Sequence, residues 1–251
     1  MLAVLRVLLI CIALVVIFTF SMLLCIVRPF HRNNVRDTAS LVGKMAFILG
    51  VKVEIRGPKH DPSIGPVVYV ANHQNSYDIF TVSASLPQET VSVGKKSLKW
   101  IPLFGQMYWF TGNILIDRAN RAKAHGTIAS AAEKIKQRNI SVWLFPEGTR
   151  SYGRGLLPFK TGAFHTAAMA GVPIVPVCVS NSHNLVNLNR WNNGKMIIEF
   201  LEPIAVENSQ RDYIRHFAND THALMLEKII ELSEEVNNPF ETIHTSEQKA
   251  G

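Results

Sequence analysis

The chain is poor in cysteine, with only Cys11, Cys25 and Cys178 among 251 residues. No CxxC is present and no Cys/His cluster has metal-ligand spacing, so the thiols read as reduced and no metal site is expected. There is no GxSxG, which argues against a hydrolase built on a nucleophile elbow. Internal repeats, low-complexity tracts and recognisable nucleic-acid-binding motifs are also missing. Acidic residues are fewer than basic ones, 19 against 26, which leaves a formal charge of +7. Such a surface suits anionic headgroups, phosphorylated substrates or nucleic acid, and does not choose among them. Dispersed as it is beside an apolar segment, the charge makes nucleic acid the poorest of the three. Hydrophobic residues reach 47% and mean hydropathy is +0.12, high for a soluble protein and too low for one that crosses a membrane many times.

Only one apolar run is long. Val7 to Val27 carries no charge and is bounded by Arg6 and Arg28. At about 1.5 Å per residue it suffices to cross a hydrocarbon core of about 30 Å. It is too long for the apolar part of a signal peptide, and Val27-Arg28-Pro29 is no cleavage site, so it reads as a retained anchor. The spacing leaves open whether it spans or lies in one leaflet. Arg28, Arg32 and Arg36 on its C-terminal side place the rest of the chain in the cytoplasm by the positive-inside rule. Leu41–Val51 is too short to cross and reads as an interfacial helix or as the first core helix.

Beyond Gly50 the pattern becomes short β-rich segments separated by helical ones. Strands are expected at Val51–Ile55, Val67–Ala71, Thr90–Val93, Ile140–Phe145, Ile174–Val179 and Met196–Leu201. Helices are expected at Arg121–Gln137, Thr161–Ala170 and Gln210–Val236. Alternation of this kind implies an α/β fold, with helices flanking a mixed sheet. The chain divides into an anchor and interfacial helix (1–50), an α/β domain (51–236) and a loose tail (237–251). Trp100–Ile116, uncharged and broken by Pro102, Gly105 and Gly112, reads as a buried helix and strand, or as a membrane-facing surface carrying Trp100, Tyr108 and Trp109.

Three clusters could do chemistry. Asn72-His73-Gln74-Asn75-Ser76-Tyr77-Asp78 follows the VVYVA strand, at the strand end where α/β sheets place ligands. His73 and Asp78 can meet across a strand-to-helix turn, where a carboxylate sets the imidazole tautomer and leaves the second nitrogen as a base. In Phe145-Pro146-Glu147-Gly148-Thr149-Arg150-Ser151, Gly148 allows close backbone approach and Arg150 can grip a phosphate. Glu147 would orient an arginine or accept from a substrate hydroxyl. Gly112–Arg118 ends by presenting Asp117 and Arg118. Lys95, Lys96 and Lys160 read by default as solvated lysines.

Taken together, NHQNSYD (72–78), GNILIDR (112–118), FPEGTRS (145–151) and VPIVP (172–176) resemble the four ordered blocks of the glycerolipid acyltransferases built around H-x4-D. The likeness is nearest to the bacterial enzymes that act on 1-acylglycerol 3-phosphate. It implies transfer of a fatty acyl group from acyl-CoA or acyl carrier protein to the sn-2 hydroxyl of lysophosphatidic acid, at a bacterial inner membrane and with no cofactor. It implies His73 as general base with Asp78 behind it, and Lys95 with backbone N–H groups near Gly148 as oxyanion donors. Arg118, Glu147, Gly148, Thr149 and Arg150 would form the acceptor site. The prolines of VPIVP suggest an edge or irregular strand. A different acceptor, such as glycerol 3-phosphate, or a non-catalytic lipid-binding role are the alternatives.

Overall fold

A computed structural model describes residues 1–57, 65–116 and 121–240. Seven strands form one sheet in the order β1-β7-β6-β2-β5-β3-β4. They are β1 (Val51–Arg56), β2 (Val68–Ala71), β3 (Thr90–Lys95), β4 (Ile114–Ile116), β5 (Ser141–Leu144), β6 (Ile174–Val179) and β7 (Gly194–Phe200). Neighbours run parallel except β6 and β7, so β1 and β7 point opposite to the other five. The mixed α/β sheet expected from the strand pattern is therefore what forms.

Both faces of the sheet are covered, which is why its central strands are apolar throughout rather than alternating. Val68, Val70, Val142, Ile174 and Cys178 pack on one face with Phe164, Ala167, Ile135, Met225 and Ile229. These partners belong to helices α5 (Arg121–Arg138), α6 (Gly162–Ala170) and α7 (Arg211–Glu235). Tyr69, Ala71, Trp143, Val177 and Ile198 fill the opposite face with Leu49 and Val82.

The N-terminal region is a helix pair laid against this body. Helix α1 (Leu2–Val27) is long and apolar enough to cross a membrane. It nevertheless buries one strip, Arg6, Ile17, Ser21 and Cys25. Ile17 packs on Val42 of α2 (Asn34–Gly43) and on Met45 just after it, and Thr38 Oγ1 donates to Ser21 Oγ at 3.0 Å. The arginines after α1 are paired within the chain: Arg28 and Arg36 with Asp37, and Arg32 with Glu89 at 3.1 Å. Leu41–Val51 holds the end of α2, a 3-10 turn at Lys44–Ala46 and the bend into β1.

One expectation changes. Strand β6 is interior, between β7 and β2, and not an edge. Pro176 is tolerated there because it lies where the ladder to β7 stops: its carbonyl accepts from Leu201 N at 2.9 Å, and antiparallel pairing begins at Val177. Trp100–Ile116 does form a helix, α4 (Phe104–Phe110), and then β4. Trp100 and Trp109 face outward, 75% and 50% exposed, whereas Tyr108 is partly buried with its Oη 2.7 Å from Ser92 Oγ. The start of the 237–251 segment is tied down, Asn238 Nδ2 donating to Asn181 O at 2.9 Å, and residues 241–251 lie outside the described part. A short helix α3 (Asp78–Thr81) follows β2.

Candidate active site

Because β6, β2, β5, β3 and β4 are parallel neighbours, their carboxyl ends share one edge. Each of the four sequence blocks lies in one of these strands or leaves its end, so blocks distant in sequence meet in space. The H-x4-D block leaves β2 at the centre, FPEGTRS leaves β5 on one side, and the chain after VPIVP leaves β6 on the other.

The imidazole is held from several directions. His73 Nδ1 lies 2.7 Å from Asp78 Oδ2, with Asp78 in the first turn of α3. The same oxygen accepts from Gln74 N at 2.7 Å and Asn75 N at 3.1 Å. A carboxylate only accepts, so Nδ1 carries the hydrogen and Nε2 is left with its lone pair. The ring stacks on Phe145, centroids 4.2 Å apart, and the His73 side chain keeps 20% exposure. It is therefore packed but reachable.

Glu147 does something other than expected. It is 3% exposed, and its two oxygens accept from His73 N at 2.7 Å and Leu157 N at 3.0 Å. Neither an arginine fork nor an opening for a substrate hydroxyl is available to it. Its work is to bolt the backbone of His73 to the loop after β5. Burial pushes its carboxyl up to about 7, against the pull of the His73 and Leu157 N–H groups. Two further bonds close the seam, from Ser151 N to His73 O (2.9 Å) and Tyr152 N to Gln74 O (2.8 Å).

The other flank is as firm. Asn72 exchanges two bonds with the backbone of Val179, at 2.9 and 2.8 Å. Gln74 Nε2 donates to Ser180 O at 2.8 Å and Gln74 Oε1 accepts from Ser182 N at 2.7 Å. Asn75 Nδ2 reaches Ser182 Oγ at 2.8 Å. Nothing in the sequence announced these three amides, whose partners lie more than a hundred residues away.

Gly148 has φ +70, a conformation that suits glycine, and a Cβ there would sit 2.6 Å from Lys160 Nζ. Its N–H donates to Phe145 O at 3.0 Å, so it is spent inside the turn. Lys160 is exposed, as its reading as a solvated lysine expected, with its side chain running past the turn. Thr149 and Arg150 are exposed at the rim. Arg150 Nη1 donates to Ser76 Oγ at 3.2 Å and Tyr152 Oη at 2.9 Å, which sets its guanidinium beside the H-x4-D loop. The Arg150 and Ser76 bonds draw the Tyr152 phenol below its usual range. Lys95 ends β3, next to β5, and is exposed. Arg118 falls in 117–120, outside the described residues, and His/Cys/Asp/Glu groups able to hold a metal are absent among the described ones.

A family model described as Acyltransferase matches residues 52–180. A 1-acyl-sn-glycerol-3-phosphate acyltransferase of Salmonella typhimurium is 53% identical over 222 residues, 88% of this chain and 91% of that one. One from Haemophilus influenzae is 49% identical across 94% of this chain and 98% of its own. The crystal structure of the 1-acyl-sn-glycerophosphate (LPA) acyltransferase PlsC of Thermotoga maritima matches with a TM-score of 0.66 and 25% identity, over 90% of this chain and 97% of that one. With the H-x4-D and FPEGTRS blocks meeting at the carboxyl edge of the sheet and such likeness along nearly its whole length, the chain belongs to the acyltransferase family.

Proposed function

We propose that the protein transfers a fatty acyl group from a thioester, acyl-CoA or acyl carrier protein, to the sn-2 hydroxyl of lysophosphatidic acid, giving phosphatidic acid. The observation that carries this reading is the His73–Asp78 contact of 2.7 Å on an imidazole braced by Phe145 and by Glu147 through the backbone. His73 Nε2 takes the hydroxyl proton as the oxygen attacks the thioester carbonyl. The resulting tetrahedral oxyanion collapses, the C–S bond breaks, and the thiolate recovers the proton from the imidazolium. Asp78 supports that cation. No acyl-enzyme is required, since the acceptor is the nucleophile. Arg150 at the rim, with Arg118 and Thr149, would hold the acceptor phosphate, and Lys95 would face the oxyanion. Gly148 shapes the turn and Glu147 positions His73.

The membrane reading rests on α1. Both its ends are tied to the same body: Ala3 N donates to Asn189 Oδ1 at 3.1 Å, and just past its last turn Arg32 pairs with Glu89 at 3.1 Å. A helix held so cannot cross a bilayer while the domain stays in water, which favours a helix seated in one leaflet. Residues 1–50 then act as the membrane contact and 51–236 as the catalytic body, on the cytoplasmic side of a bacterial inner membrane, where both thioester donors are found.

The test is acyl transfer from a labelled thioester by detergent-purified protein, with lysophosphatidic acid and glycerol 3-phosphate as competing acceptors. Phosphatidic acid should form, and His73→Ala should lower kcat by at least about 10²-fold, the contribution of a general base. Preference for glycerol 3-phosphate would overturn the acceptor, and activity indifferent to His73 would overturn the mechanism.

A further inference from the structure

The connection from β6 to β7, residues 180–193, joins two features that sequence keeps apart. Its first residues grip the H-x4-D loop through Gln74 and Asn75. Its last residues wrap the start of α1. Arg6, only 4% exposed, donates to the carbonyls of Asn187 (3.2 Å), Leu188 (3.2 Å), Arg190 (2.7 Å) and Trp191 (2.9 Å). Asn193 N donates to Gly50 O at 2.7 Å and Asn193 Nδ2 to Leu49 O at 2.6 Å. Gly50, at φ +71, lets the Trp191 carbonyl approach to 2.1 Å from where a Cβ would stand. The backbone of Trp191 is thus clamped.

Its indole is not covered: Trp191 is 75% exposed, and Phe47 across a groove of about 570 Å³ is 87% exposed. Leu2, Leu5 and Leu9 line that groove with Lys52 at its edge, and Lys44 stands nearby beside Phe47. On the same helix, next to the groove-lining leucines in sequence, Val4, Leu8 and Ile12 are more than half exposed. An apolar strip ending in an aromatic pair with lysines around it has the make-up of a bilayer boundary, where indoles prefer headgroup level. Because β1 and β7 run opposite to the other strands, their starting ends, Val51 and Gly194, lie at the same sheet edge as His73. Phe47 and Trp191 therefore stand at the catalytic edge.

We propose that the β6–β7 connection is a second membrane contact, in which Trp191 beside Phe47 seats in the headgroup layer of the leaflet that α1 enters and so turns the catalytic edge toward the lipid surface. The inference rests on the reading of α1 as a membrane helix. It assigns the connection a double task, bracing Gln74 and Asn75 at one end and meeting lipid at the other.

Indole quenching in the full-length protein tests it. Trp100→Phe with Trp109→Phe leaves Trp191 and the core residue Trp143, which is 3% exposed and serves as an unquenched reference. The protein is reconstituted in phosphatidylethanolamine–phosphatidylglycerol vesicles brominated either near the top or near the end of the acyl chains. Bromines near the top should quench Trp191 about twofold more than those near the end, as an interfacial indole requires. Adding Trp191→Phe should abolish that quenching. If the protein co-floats with vesicles while Trp191 responds to neither lipid, the second contact is refuted and the membrane reading of α1 stands. If the protein fails to co-float, both fall.

Discussion

Replacing Asp78 by Asn separates charge from geometry at the proposed catalytic pair, His73 and Asp78. Oδ2 of Asp78 takes three hydrogen bonds, from His73 Nδ1 (2.7 Å), Gln74 N (2.7 Å) and Asn75 N (3.1 Å). Oδ1 is buried and has no hydrogen-bond partner among the described residues. An asparagine can put its carbonyl oxygen where Oδ2 lies, keep all three bonds and the tautomer, and leave its NH₂ at the Oδ1 position. Bonds to a charged acceptor contribute about 1.5–3 kcal/mol and neutral ones about 0.5–1.5. Burying a neutral amide costs less than burying a carboxylate, so the net loss of stability should be about 2–3 kcal/mol. For a chain of this size that lowers Tm by about 4–12 °C. The imidazolium formed during attack loses its counter-charge, worth up to about 4 kcal/mol at an effective dielectric constant near 20. Screening by the exposed side of the ring trims this, and kcat should fall about 10²–10³-fold with KM for lysophosphatidic acid within about threefold. Initial rates against acceptor concentration at saturating thioester measure both. A kcat within about tenfold of wild type would refute the charge argument. A raised KM at constant kcat would move Asp78 into acceptor binding.

Further outcomes follow from the same geometry. Glu147 titrates near 7 when folded, against an ordinary value of 4.5, because it is buried. The native state therefore holds a proton that the unfolded chain has released, and stability should fall as pH rises from 4.5 to 7, by up to about 3 kcal/mol. Melting curves of wild type and Glu147→Gln at about pH 5 and about pH 7.5 test this, since parallel slopes in the two proteins would refute it. Arg6→Ala removes four bonds to backbone carbonyls at a buried position and should cost about 2–4 kcal/mol, read as an equilibrium shift in denaturant. A change within about 0.5 kcal/mol would show that the clamp is ornamental to folding.

Local chemistry fixed much of this protein in advance. The apolar run after Arg6, the alternation of strand and helix patterns, and the four blocks depend on neighbours a few residues apart. The α/β fold, the anchor helix and the pairing of His73 with Asp78 could be read from them. Long-range order decided the rest. Pro176 read as a residue of an edge or irregular strand because a missing N–H is costly inside a sheet, but the cost vanishes where one ladder has just ended. Glu147 read as a residue that orients an arginine or accepts from a substrate hydroxyl. Folding instead buries it against backbone N–H groups from His73 and Leu157. Arg6 looked like no more than the flank of an anchor. Reversal of β7 against β6 brings Trp191 to the sheet edge that carries His73 and lets Arg6 bind its carbonyl across 185 residues. A sequence pattern carries period and propensity, whereas strand order and loop docking are settled only when the whole core packs at once.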